Sequence, residues 1–199
     1  MSFRYSVVSG LNSNALEPVY HDAARAVIEG TARTPAAVFA RLTPIYVDDA
    51  TFEQDFARFA IETSGQRKRL AKYVLARLES DLSDRACDPD IDPGTIEHVL
   101  PENPTDTWDF SFPPRQWEAA LYRLGNLTLL ELSANRRVGN AAYSEKLDAY
   151  SDSAYALTRA IPALAPEEWT LAHLDARQRR LASRAVHVWR ADFASGGAA

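Results

Sequence analysis

The chain is poor in cysteine, in long apolar runs and in excess positive charge. Its one cysteine, Cys87, has no internal disulfide partner, and no cysteine cluster exists to hold structural zinc. Apolar runs last only a few residues, far short of a membrane span. The opening "MSFRYSVVSGLNSN" lacks the basic and then continuously apolar profile of a secretory signal. These absences predict a cytoplasmic protein with no membrane partner, so the "NLT" glycosylation pattern at Asn126 carries no weight. Against 22 Lys and Arg stand 27 Asp and Glu, a formal charge of −5, which excludes coating nucleic acid through overall basicity. A polyanion needs a local basic patch. No repeat, no low-complexity linker and no G-x-x-x-x-G-K-[ST] string is present.

What is present is a helical pattern in 199 residues, 46% of them hydrophobic, which predicts one compact unit. Leu16, Val19, Tyr20, Ala23 and Val27 keep helical spacing ahead of Gly30, and Thr34-Pro35 reads as an N-cap followed by proline at N1. Helices are expected over 14–29 and 35–42. Thr51 and Gln54 fit a capping box that leads Phe52, Phe56 and Phe59 onto one stripe. A further helix over 66–79 buries Leu70, Tyr73, Val74 and Leu78 and opens with Arg67, Lys68, Arg69 and Lys72. The Asp-, Pro- and Gly-rich stretch 83–94 breaks the run; it lacks EF-hand spacing and reads as a linker. "FPPRQWEAALYRLG" predicts a helix with Gly125 past its end, and the tail from Trp169 a long amphipathic helix before a fraying "ASGGAA".

Two short β-leaning segments interrupt the helices: Ile96 to Leu100, closed by Pro101, and Asn126 to Leu132. Strand, strand and then a polar turn toward a helix around "YSEKLDAY" make a ββα unit. Glu97 and His98 are neighbours in the first strand, so in a regular strand they face opposite sides. A bulge or a twisted strand end is required if both serve one site.

The segments "IEHVLP" and "LGNLTLLELSANRRVGNAAYSEK", with the closing pattern Trp169, Arg177, Leu181 and Trp189, resemble the HNH, or His-Me finger, nucleases over about residues 50 to 190. The likeness is to the C-terminal nuclease domain of GmrSD-type modification-dependent restriction enzymes and of phage-defence proteins that sense phosphorothioated DNA. The resemblance implies a mainly α fold, a helical bundle with an embedded ββα-metal motif. It implies a single domain over 1–199, with a helical part at 1–82, a ββα core with an inserted helix at 94–151 and a C-terminal helix at 166–193. The implied roles are His98 as general base, Asn126 as the support that orients it, and Glu97 and Asn135 as ligands of one divalent metal. Asn140 and Lys146 are implied near the site, Lys146 as a phosphate contact. An N-terminal nucleotide-hydrolysing sensor domain, outside this sequence, is the implied partner, and the chain the effector of an anti-phage restriction system.

The chemistry is coherent on the residues alone. Phosphodiester hydrolysis needs an activated water and charge neutralisation; an imidazole accepts the proton near neutral pH, and a hard cation stabilises the developing charge. A carboxylate and an amide oxygen suit Mg²⁺ or Mn²⁺. Arg136 and Arg137, beside Asn135, are the first choice for holding DNA; Arg67, Lys68, Arg69 and Lys72, and Arg177, Arg179, Arg180 and Arg184, are further clusters. His21 lies on a helix between apolar positions, and His173 and His187 lie in the last helix without carboxylate partners at ligand spacing; all three read as solvated or structural, and the four tryptophans as packing anchors. Two rival readings stay open: a non-catalytic helical interaction module that retains a degenerate HNH motif, and an RNA-directed nuclease.

Overall fold

Local sequence sets several helix ends in the computed structural model, which describes residues 1–83, 85–108 and 111–191. The expected fraying tail 194–199 and Asp84 of the expected linker lie outside the described residues. Helix α1 (Leu16–Ile28) stops ahead of Gly30, whose φ of 72° is left-handed and favours glycine. Helix α2 (Pro35–Leu42) opens on proline, and the Thr34 hydroxyl accepts the Ala37 N–H at 3.2 Å. Helix α3 (Asp49–Phe56) departs from the expected capping box. Thr51 lies within the helix, and Asp48 accepts its N–H at 2.9 Å and its hydroxyl at 2.7 Å. A carboxylate ahead of the first turn meets both the orphan donors and the positive helix end, so Asp48 displaces the threonine as cap. Phe52 and Phe56 are buried, and Phe59 falls outside the helix.

Contacts gather into two compact units where the sequence predicts one: Met1–Phe56 with Ala185–Ala199, and Ala57–Arg184. The first is tied by Arg4, on a π-helical turn (Phe3–Val8) absent from the sequence pattern. Its buried guanidinium donates to the carbonyls of Val47 (3.0 Å), Val186 (3.0 Å) and Trp189 (2.9 Å) and to the Asp49 carboxylate (2.7 Å). Tyr46 and Phe52 flank the cation.

The second unit holds α4 (Gly65–Ser83), strand β1 (Thr95–His98), α5 (Pro114–Leu121), strand β2 (Leu127–Leu130), α6 (Leu132–Val138), α7 (Tyr143–Ser151), α8 (Ala156–Leu164) and most of α9 (Leu171–Val188). The fold is mainly helical. β1 and β2 pair antiparallel, Thr95 opposite Leu130 and His98 opposite Leu127. All of β2 is buried; its three leucines are apolar, and the one polar side chain, Thr128, pairs its hydroxyl with that of Thr158 at 2.7 Å. Its core gathers Leu100, Trp108, Phe112, Leu130, Tyr150 and Trp169. Trp108 and Trp169 are buried there and Trp117 packs against them, so these rings anchor the core.

Arg177 belongs to this core and not to a basic surface. It is buried, and donates to the carbonyls of Leu124 (3.2 Å), Gly125 (2.9 Å) and Leu127 (2.7 Å), which fixes the entry to β2, and to that of Leu157 on α8 (3.3 Å). Burial pulls the guanidinium down to about 10, still charged at neutral pH. Arg184 pairs with Asp81, leaving Arg179 and Arg180 exposed on α9. Gly125 is required by close approach: a Cβ there would lie 2.5 Å from the Leu174 carbonyl oxygen. Gly125→Ala should therefore destabilise the domain by roughly 1–3 kcal/mol, read as a lower urea midpoint at unchanged slope.

Candidate active site

Two strands and the helix that follows them bring the expected residues into one neighbourhood. α6 starts directly after β2, and from it the Asn135 amide donates to Thr95 Oγ1 (2.9 Å) and to the Ile96 carbonyl (3.0 Å). These bonds bolt α6 onto β1 and fix the amide orientation, because only the NH₂ can serve a carbonyl. The Asn135 oxygen is left without a partner among the described residues. Gly139, at φ 42°, ends α6 and turns the chain toward Asn140.

The β ladder stays regular through His98, and Glu97 and His98 turn to different partners. Glu97 is buried, and its Oε1 accepts from Lys146 Nζ (2.8 Å) and Tyr150 OH (2.8 Å), both on α7. Lys146 is wholly buried and spends its other two donors on the carbonyls of His98 (2.9 Å) and Val99 (3.2 Å). Its expected phosphate contact is thus replaced by a grip on the strand end. His98, the last strand residue, sets its Nε2 3.1 Å from Thr63 Oγ1 and 3.7 Å from Glu102 Oε1.

A pocket of about 280 Å³ joins these groups; its lining includes Glu97, His98, Asn135, Asn140, Lys68 and Glu102. The strand end thus brings both neighbours to one cavity without a bulge. Asn126 is elsewhere. It is buried, accepts the Leu100 N–H at 2.8 Å and donates to the carbonyls of Leu100 (2.9 Å) and Leu121 (3.1 Å). It braces the backbone two residues beyond the imidazole. Arg136 and Arg137 are exposed on the last turn of α6, outside the pocket lining, where the cation is Lys68. Thr63 and Glu102 are additions: Glu102 stands one helical-turn spacing after His98, but Thr63 is 35 residues away and carries no sequence signal.

A family model for the C-terminal domain of the GmrSD restriction endonucleases matches residues 46–184. The chain belongs to this family. No curated protein matches it. Membership in the GmrSD C-terminal family implies nuclease function of the restriction-endonuclease type. The match contains every lining residue of the pocket and ends at Arg184, the last residue of the second unit.

Among the described residues of this GmrSD-type domain, no group of three or more His, Cys, Asp or Glu is arranged for a metal ion. One carboxylate and one amide oxygen on the pocket wall, Glu97 and Asn135, are instead the donor chemistry that fits a hard divalent cation completed by water and phosphate oxygens. Burial pushes the Glu97 carboxyl up, opposed by the charge and hydrogen bond of Lys146; burial likewise pulls Lys146 down, opposed by Glu97. Burial also holds His98 at about 4, against the raising influence of Glu102 and with the help of Lys146. The imidazole is therefore neutral, and able to accept a proton, at neutral pH.

Lys146→Met should cost roughly 3–5 kcal/mol in urea unfolding at neutral pH, because it strands a buried carboxylate. The double variant Glu97→Gln/Lys146→Met should recover part of that loss. For His98, a value of about 4 in the fold against an ordinary 6.5 means that the unfolded chain binds the extra proton between them. The stabilisation is full above 6.5 and is lost as pH falls toward 4. Urea midpoints at both ends of that window should fall more for wild type than for His98→Asn.

Proposed function

We propose that this domain is a metal-dependent DNA endonuclease that nicks or cuts phosphodiester bonds, acting in the cytoplasm as the effector of an anti-phage restriction system. The observation that carries the reading is the single pocket lined jointly by His98, Glu97 and Asn135. In this reading β1, β2 and α6 are the ββα-metal motif of a His-Me finger. His98 takes the proton from the attacking water, as its neutral state permits. Glu97 and Asn135 would hold one divalent cation, Mg²⁺ or Mn²⁺, which supplies charge neutralisation at the scissile and leaving oxygens.

The remaining residues position these groups. Lys146 and Tyr150 occupy one oxygen of Glu97 and leave the other for a ligand. Asn126 fixes the backbone that follows His98. Lys68, with no acidic partner among the described residues, and Asn140 receive the phosphate at the pocket wall. Arg136 and Arg137 meet flanking backbone through screened, sequence-independent contacts. Modification sensing belongs to a separate N-terminal nucleotide-hydrolysing domain, so the 199 residues alone cut with little discrimination.

Supercoiled plasmid incubated with Mg²⁺ or Mn²⁺ tests this. Wild type should convert it to open circle, and His98→Ala and Asn135→Ala should each slow the conversion by at least about 100-fold. Equal rates in the three proteins would overturn the assignment. Absence of nicking by wild type favours the interaction-module alternative, and faster cleavage of a matched RNA favours the RNA-directed one.

A further inference from the structure

Beside the imidazole, in the lining of the same pocket, lies a polar chain of Thr63 and Glu102. Thr63 precedes α4, in the stretch that leads from Ile61 to Gly65, and its hydroxyl stands between two groups: His98 Nε2 at 3.1 Å and Glu102 Oε1 at 3.2 Å. The separation of His98 Nε2 from Glu102 Oε1 is 3.7 Å, too long for a direct hydrogen bond, so the hydroxyl is the link between them.

Proton counting fixes the direction of this chain. A threonine hydroxyl owns one proton and two lone pairs, and a carboxylate only accepts. Were Thr63 to give its proton to His98, a hydroxyl lone pair would face a carboxylate lone pair at 3.2 Å. The proton therefore goes to Glu102, the hydroxyl oxygen becomes an acceptor, and His98 must present Nε2–H to it. In a neutral imidazole this leaves the lone pair on Nδ1, which has no partner among the described residues.

We propose that Thr63 and Glu102 are positioning residues that hold His98 as its Nε2–H tautomer, so that Nδ1 is the nitrogen that removes the proton from water. The water O–H bond breaks as an Nδ1–H bond forms, and the P–O bond to the leaving oxygen breaks as the new P–O bond is made, the leaving oxygen keeping that electron pair. Nδ1 gains a proton, the water oxygen keeps its electron pair for attack on phosphorus, and the imidazolium that results lies beside the Glu102 carboxylate. A wrong tautomer would turn Nδ1–H toward the water as a donor and leave it without a base. The kinetic consequence rests on the nuclease reading, whereas the tautomer does not.

The two are measured separately. In imidazole-¹⁵N-labelled, metal-free protein at pH 7.5, long-range ¹H–¹⁵N correlation should show one histidine, absent from His98→Gln, as the Nε2–H form. Thr63→Val should shift that histidine toward Nδ1–H and lower the plasmid-nicking kcat at least about tenfold with KM little changed. Glu102→Ala should shift it likewise, because Thr63 is then free to donate to Nε2. Thr63→Ser, which keeps the hydroxyl, should restore both the spectrum and the rate; that rescue separates a positioning role from a general loss of structure. A Thr63→Val protein that keeps the Nε2–H form and the wild-type kcat would overturn the inference, and so would a wild-type spectrum showing Nδ1–H. If wild type does not nick, the nuclease reading fails while the spectra still decide the tautomer.

Discussion

The ammonium of Lys146 sits where three consecutive residues, Glu97, His98 and Val99, converge their oxygens, and the site depends on it. It reaches the Glu97 carboxylate and the backbone carbonyls of His98 and Val99 from α7, so one buried cation fixes a side chain and the strand end that carries the imidazole. Taking both charges out of water is costly, and the desolvation is offset only because every donor of the ammonium finds an oxygen. Such an arrangement favours one geometry more than it favours stability. It holds a carboxylate at the wall of a pocket, where an exposed pair would let it wander.

Around that pair, backbone carbonyls and amides do the aligning. Asn126 grips Leu100, Arg177 gathers three carbonyls where β2 begins and one from α8, and Asn135 ties α6 to β1. Asn126 and Arg177 commit most of their hydrogen-bonding capacity to main chain, and Asn135 commits one donor and keeps its oxygen unpartnered among the described residues, which sets register without adding a competing charge to the pocket. The pocket's titratable groups are thereby reduced to a few, and burial holds the central imidazole neutral.

Much of this was legible before any coordinates. The Thr34-Pro35 start, the Gly30 stop and the two strands follow from local stereochemistry, and His98, Glu97, Asn135 and Asn140 do share a pocket. What escaped has physical reasons. Helix α8 carries Pro162, which reads as a helix stop, and α6 is only two turns of mostly polar residues, so neither stands out in the local pattern. Lys146 and Arg177 look like surface cations in a string of letters, since nothing in sequence reveals that distant carbonyls and carboxylates converge on them. The same holds for Thr63, whose partner is reached only through the fold. The division into two units was invisible because Arg4, which seals the first, finds its acceptors nearly the whole chain away.

That last contact sets an order of events during synthesis. The carbonyls of Val186 and Trp189 are made after all of Ala57–Arg184, so the pocket-bearing unit has its full complement of residues before the N-terminal segment can close around Arg4. Until then the guanidinium holds only Val47 and Asp49, and Phe3 and Phe56 lack the indole of Trp189 against which they later pack. The residues around Arg4 are made early and settle late.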